Sequence, residues 1–295
     1  MKRLLVTGGS GQVGWELRRA LAPLGEVFAP GRELLDLARP QTLAAAVAQF
    51  KPDLIVNPAA YTAVDKAESE PELARLVNGV APGVLAEVAR KLGIPLIHYS
   101  TDYVFDGRLD RAYRETDEPN PQSVYGATKQ AGEAAIMAAG GRFLILRTSW
   151  VYGLRSKNFL LTMLRLGRER EEVGVVDDQI GAPTWSRMIA EAGAQLAGTW
   201  LAGSDAGRAR MEPFWGIYHL CASGQTSWHG FTAAIFAHLQ RTEGRSARLK
   251  AIATADYPTP AKRPANSRLD CGKLRDAFGL GLPDWQASLD LCLEA

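Results

Sequence analysis

The chain is sparing with cysteine and histidine, and each shortage excludes something. Cys221, Cys271 and Cys292 are odd in number and share no paired spacing. That argues against a disulfide-built scaffold and suits reduced thiols, buried as small hydrophobes, in a cytoplasmic protein. His98, His219, His229 and His238 nowhere fall at metal-ligand spacing, so no zinc site is expected. An excess of one charge is missing too: 34 Lys and Arg stand against 32 Asp and Glu, leaving +2 and no long basic run. Neither nucleic acid nor an anionic membrane is therefore an expected partner. No uncharged apolar run approaches the ~18–20 residues of a membrane span. The apolar stretch behind Lys2 and Arg3 is short and ends in glycines, which makes it a strand and not a signal peptide. Internal repeats and low-complexity tracts are lacking as well.

What is present begins at the N-terminus. Leu4, Leu5 and Val6 form an apolar strand run that breaks into Gly8, Gly9 and Gly11, with Gly14 following as a helical pattern starts. A strand feeding a glycine turn that opens a helix binds anions through free backbone N–H groups and the helix dipole. Gly11 would let a pyrophosphate approach, and Gly14 would let helix and strand pack closely. Further apolar runs follow at 26–29, 54–57, 95–99 and 142–147, separated by helical segments. This βαβ alternation predicts an α/β fold, a Rossmann-like doubly wound parallel sheet whose ligands lie beyond the carboxyl ends of the strands. Arg32, just past the second strand, stands where an acid would hold both ribose hydroxyls; it suits a 2′-phosphate and leans toward NADPH, with NADH possible. Ala59, Ala60 and Tyr61 follow the third strand and mark a cofactor edge with small residues.

Beyond Gly153 the alternation decays into helices at 159–168, 186–197 and 228–240, strands at 173–176 and 215–220, and a mobile loop at 202–210. The expected organisation is a dinucleotide-binding domain over residues 1–150, joined by parts of 173–225, and a smaller mixed substrate domain over 151–295.

Tyr125 and Lys129 are spaced to share one face of a helix over 124–139. A phenol, protonated at neutral pH, donates to a developing alkoxide, and a nearby ammonium stabilises the phenolate left behind. The same lysine reaches a nicotinamide ribose, and the Thr101 hydroxyl would orient the carbonyl. The spacing alone is common by chance; its place after a complete dinucleotide half gives it weight.

TGGSGQVGWEL, NPAAYTAVDKAESEPE, HYSTDYVFDG, VYGATKQAGE, RTSWVYG, DDQIGAPT and YPTPAKRPANSRLD run in consistent order from residue 1 to about 290. Together they resemble the extended short-chain dehydrogenase/reductase group and, within it, the dTDP-4-dehydrorhamnose reductase family. The resemblance implies hydride reduction of the C4 ketone of a dTDP-4-dehydro-sugar, with Tyr125 as proton donor, Lys129 as its tuner and Thr101 as the carbonyl-orienting hydroxyl. It also places Gly11, Gln12 and Val13 at the pyrophosphate, Ala60, Tyr61 and Tyr99 along the cofactor groove, and Asp36 and Leu37 near the adenine. Thr101, Asp102 and Trp150 match the family's sugar-nucleotide contacts, Trp150 as an apolar platform. A homodimer is compatible with the family. Some members hold Mg²⁺ through interface glutamates; Glu16 matches one, but Arg187 stands where another is needed, so no metal is expected. The alternatives are a nucleotide-sugar 4-epimerase and a non-catalytic NADP-binding regulator similar to the regulatory subunit of methionine adenosyltransferase.

Overall fold

The computed structural model describes residues 1–201 and 211–295; the loop expected at 202–210 lies outside the described residues. The first half alternates as β1 (Arg3–Val6), α1 (Gln12–Ala20), β2 (Glu26–Phe28), α2 (Pro40–Phe50), β3 (Leu54–Asn57), α3 (Ala81–Leu92), β4 (Leu96–Thr101), α4 (Val124–Ala139) and β5 (Phe143–Thr148). The second half supplies α5 (Phe159–Glu169), β6 (Glu172–Val176), α6 (Ser186–Leu201), β7 (Gly216–His219), α7 (Trp228–Glu243), β8 (Arg248–Ile252), α8 (Gly272–Phe278) and α9 (Trp285–Glu294).

Six strands make one sheet in the order β7-β5-β4-β3-β1-β2, every pair parallel. Alternation along each strand loads both faces. Leu4, Val6, Val56, Ile97 and Leu146 pack with Leu17 of α1, Leu21 just past its end, and Ile189 and Leu196 of α6. Leu5, Ile55 and Ile145 face the other way, onto Leu43 and Val47 of α2 and Leu85 of α3. Two buried faces explain why β3 reads as an unbroken apolar run. The chain winds outward from β1 to β2 and then returns to β3 on the other side of β1, so the strand order reverses between β1 and β3. A doubly wound sheet opens its ligand crevice at that reversal, and the glycine turn and Ala59–Ala60–Tyr61 leave the sheet there.

β7 lies beside β5, so a segment from the second half completes the sheet of the first. The remaining elements build a separate core from Tyr152, Leu160, Met163, Val173, Phe231, Ile235 and Leu289, beside the parallel pair β6 and β8. The cysteines are free thiols: Cys221 and Cys292 are buried, whereas Cys271 is only half-buried. The fold brings the Cys271 Sγ to 3.5 Å from that of Cys221, across fifty residues of sequence.

The segment leading into α3 is not a plain α-helix. Arg75–Val80 is a π-helical stretch, a feature that concentrates at functional sites. Its Asn78 side chain accepts from the Tyr61 N–H at 2.8 Å and donates to the Tyr61 carbonyl at 3.1 Å, fixing the backbone just past β3.

Candidate active site

Beyond the carboxyl ends of β1, β3, β4 and β5 lies a cleft of about 890 Å³. Every residue singled out from the sequence lines it, from Gly8, Gly11, Gln12, Val13 and Gly14 through Arg32, Asp36 and Leu37, Ala59, Ala60 and Tyr61, to Tyr99, Thr101, Asp102, Tyr125, Lys129 and Trp150.

The glycine turn is built for close approach. Gly8 sits at φ +57, and a Cβ on Gly14 would lie 2.1 Å from the Gly8 carbonyl oxygen, so only glycine lets α1 start so near β1. Gly11 caps α1 without a side-chain hydrogen bond, which leaves the first N–H groups of the helix to a ligand. The Gln12 side-chain oxygen is buried there without a partner, as are the Asp102 Oδ2, Ser100 Oγ and Thr148 Oγ1 atoms around the cleft. Buried polar atoms of this kind are normally satisfied, so the cradle and its orphaned acceptors fit a bound dinucleotide and a polar substrate.

At the centre, Ser123 caps α4, its Oγ accepting from Gly126 N–H at 3.2 Å. A Cβ on Gly126 would fall 2.2 Å from the Tyr103 carbonyl oxygen, so glycine lets the start of α4 press against the turn that follows β4. This contact brings the Tyr125 phenol close to the Thr101 hydroxyl. Burial pushes the Tyr125 phenol up to about 12, against the opposing effect of the Thr101 hydroxyl. The group is a protonated acid at every working pH. One turn on, Lys129 is 1% exposed, and its Nζ donates to the Tyr99 carbonyl at 2.6 Å. Burial brings that ammonium down to about 8, while the Glu133 carboxylate holds it up. Asp102 is pushed up to about 6 by burial, opposed by hydrogen bonds from Ser267 and Thr101.

Several of these lining residues also have partners within the protein. The Tyr99 ring turns away into the core, where its hydroxyl lies against the backbone of Gly193; its carbonyl is what meets Lys129. Asp36 spends its carboxylate on the Ala38 N–H at 2.9 Å, and Leu37 is buried in the core beneath the cleft wall. The Tyr61 hydroxyl donates to Glu70 at 2.6 Å. Trp150 adopts φ +48, a costly conformation for a bulky residue, and stacks on Trp228 with ring centroids 3.6 Å apart. Trp228 carries no sequence signal, since it joins Trp150 only through the fold. Arg18 was legible and missed: it falls four residues after Gly14, on the same helical face, and lines the cleft beside Ala29 and Arg32. Lys157, just before α5, also lines it. Glu16 meets Arg187 at 3.4 Å, and no cluster of three or more His, Cys, Asp or Glu side chains is placed to hold a metal among the described residues.

Comparison with known proteins agrees with this geometry. The RmlD substrate binding domain family matches residues 1–295. A dTDP-4-dehydrorhamnose reductase of Burkholderia thailandensis is 50% identical over 99% of this chain and 98% of its own length. Its namesake from Escherichia coli K12 is 46% identical over 97% and 95%. A Bacillus anthracis dTDP-4-dehydrorhamnose reductase, solved in complex with NADP, superposes with a TM-score of 0.89 at 32% identity, covering 100% of this chain and 99% of that one. A Thermus thermophilus UDP-glucose 4-epimerase shares the fold alone, with a TM-score of 0.77 at 21% identity. Full-length agreement in sequence and in structure leads to one assignment: the chain belongs to the RmlD family of dTDP-4-dehydrorhamnose reductases.

Proposed function

We propose that this protein reduces the C4 ketone of dTDP-4-dehydro-β-L-rhamnose to the alcohol of dTDP-L-rhamnose, with NADPH as the preferred reductant. The glycine turn would hold a nicotinamide cofactor, whose chemistry when bound would be to supply hydride to C4. Tyr125 supplies the proton that the ketone oxygen needs as it becomes a hydroxyl. Thr101 orients that oxygen beside the phenol, and Lys129 offers its charge to the phenolate left behind. The observation that carries the reading is a half-buried, protonated phenol beside Thr101, in the same cleft as the glycine turn and a buried ammonium.

Residues 1–150, completed by β7, would hold the cofactor, and the second half would hold the sugar nucleotide. Asp102 and the Trp150–Trp228 stack offer it a polar edge and an apolar platform. Lys157 brings a positive charge within reach of the diphosphate. Exposed Arg18 and Arg32 flank the far end of the cleft and favour the additional phosphate of NADPH. Glu16 is paired with Arg187 at 3.4 Å, a cation where the resemblance would need a second glutamate, which disfavours a metal there. No helix among the described residues is long and apolar enough to cross a membrane, which is compatible with a cytoplasmic enzyme.

The direct test follows NADPH and NADH oxidation with dTDP-4-dehydro-β-L-rhamnose and identifies the product. Formation of dTDP-L-rhamnose, faster with NADPH, is expected; no oxidation of either cofactor would overturn the proposal.

A further inference from the structure

A line of four buried polar side chains runs beneath the cleft. Thr7 directly follows β1, Asn57 ends β3, His98 lies on β4 and Lys129 on α4, and none is more than 1% exposed. Strand register sets them side by side, with Asn57 opposite His98 in the β3–β4 pair. The Thr7 hydroxyl donates to the Asn57 side-chain oxygen at 2.5 Å, the Asn57 amide lies 3.0 Å from His98 Nδ1, and His98 Nε2 lies 3.1 Å from Lys129 Nζ. The strands around them are apolar, so a polar file here needs a reason beyond packing.

An ammonium has three N–H bonds in tetrahedral array. Lys129 gives one to the Tyr99 carbonyl and directs a second at His98 Nε2. Two fixed bonds leave a single direction for the third. We infer that His98, backed by Asn57 and Thr7, is a positioning residue that holds Lys129 so that its remaining N–H points into the cleft. This rests on the role given to Lys129 above.

The chemistry of the ring supports the assignment. Burial and then the charge of Lys129 hold His98 well below its ordinary value, so it stays neutral and keeps a lone pair. An ammonium neighbour requires that lone pair on Nε2 and the ring proton on Nδ1. As placed, Asn57 gives its oxygen to Thr7 and turns its NH2 toward Nδ1; the assignment requires the amide turned over, so that its oxygen accepts from Nδ1–H and its NH2 donates to the Thr7 hydroxyl, which can accept as well as donate. Removing the acceptor at Nε2 therefore does two things: it frees Lys129 to swing about its remaining bond, and it makes the charged form harder to keep. The other titratable or charged groups facing Lys129 are Tyr125 and Glu133 on its own helix, Glu133 being tied to Arg147 of β5; Asp102 lies past the end of β4. None of these changes when His98 is replaced.

The test compares His98→Met, which fills the space without a nitrogen acceptor, with His98→Gln, whose side-chain oxygen reaches the position of Nε2. Lys129→Met is measured in parallel, with circular dichroism and thermal melts on all three. His98→Met should lower kcat about 10- to 100-fold and move the alkaline limb of kcat/KM to lower pH, while KM for the sugar nucleotide changes little. His98→Gln should recover most of the rate and return the limb toward that of the unaltered enzyme. A purely structural His98 would leave the limb in place in every folded variant. If Lys129→Met is strongly impaired while His98→Met keeps its rate and pH limb, or if Gln and Met behave alike, the inference is overturned. A fully active Lys129→Met would instead overturn the role of Lys129 itself.

Discussion

The Thr101 hydroxyl donates to the Asp102 carboxylate at 3.0 Å while it lies close to the Tyr125 phenol. One hydroxyl thus links the phenol proposed as proton donor to a carboxylate lining the same cleft. At neutral pH Tyr125 still carries its proton, because burial raises it to about 12, whereas Asp102, raised only to about 6, has mostly lost its own. Replacing Tyr125 with Phe keeps the ring against Tyr103, which it meets edge-on at 5.4 Å, and removes only the acid. Turnover should fall roughly 10²–10⁴-fold, the range for a lost general acid. NADPH affinity, followed by fluorescence titration, should stay near that of the unaltered protein. A rate within tenfold of normal would remove Tyr125 from the chemistry.

Asp102 makes a second prediction, about stability. Its carboxyl moves from 3.8 in the free group to about 6 in the fold, so the folded chain holds this proton where the unfolded chain has already lost it. Stability contributed by this site is therefore full below about pH 4 and is lost as pH rises through about 6. Asp102→Asn has no such loss. Relative to the unaltered protein, the variant should gain roughly 2 kcal/mol on passing from pH 4 to pH 7.5. Urea unfolding at both values measures it, and an equal offset at the two would count against a buried, strained carboxylate.

The parts of this molecule that were legible in sequence are those fixed by local physics. The short apolar runs of β1, β3, β4 and β5, buried on both faces, the glycine turn and the four-residue step from Tyr125 to Lys129 all announce themselves within a few positions. What stayed hidden depends on contacts across the fold. Trp228 meets Trp150 only because α7 packs over the exit of β5. His98 looked like one more residue in a strand until its neighbours on β3 and α4 were in place. Tyr99 was assigned by motif to the groove, yet alternation along β4 sends its ring to the opposite side. Arg18 differs from these, since its helical step from Gly14 was open to inspection.

The ion pair between Arg147 and Glu133 belongs to the hidden class and yields a third prediction. The guanidinium donates to both carboxylate oxygens, at 2.9 and 2.6 Å, and the two side chains are 2% and 1% exposed. Glu133→Gln leaves a buried cation with a neutral partner, which should cost about 3–5 kcal/mol in urea unfolding. Combining it with Arg147→Met removes the stranded charge, so the double variant should be more stable than Glu133→Gln alone. The opposite order would show that Arg147 matters for its stacking over Phe105, 5.0 Å from the ring centroid, more than for its charge.

Cofactor choice tests the two arginines that flank the far end of the cleft. Arg18 and Arg32 are exposed, and no hydrogen bond or ion pair fixes either guanidinium among the described contacts, though Arg18 lies 5.3 Å from the centroid of the Trp15 ring. Both are thus free to close on a 2′-phosphate, which NADPH carries and NADH does not. A charge-assisted hydrogen bond is worth about 1.5–3 kcal/mol, or about 10- to 100-fold in affinity. Arg18→Ala and Arg32→Ala should each raise KM for NADPH toward that range while leaving KM for NADH nearly unchanged, and the double variant should show little preference between the two. Because neither residue reaches Tyr125 or Lys129, kcat with saturating cofactor should hold. A double variant that still prefers NADPH by the original ratio would place the phosphate elsewhere in the cleft, with Lys66 as the next cation along its wall.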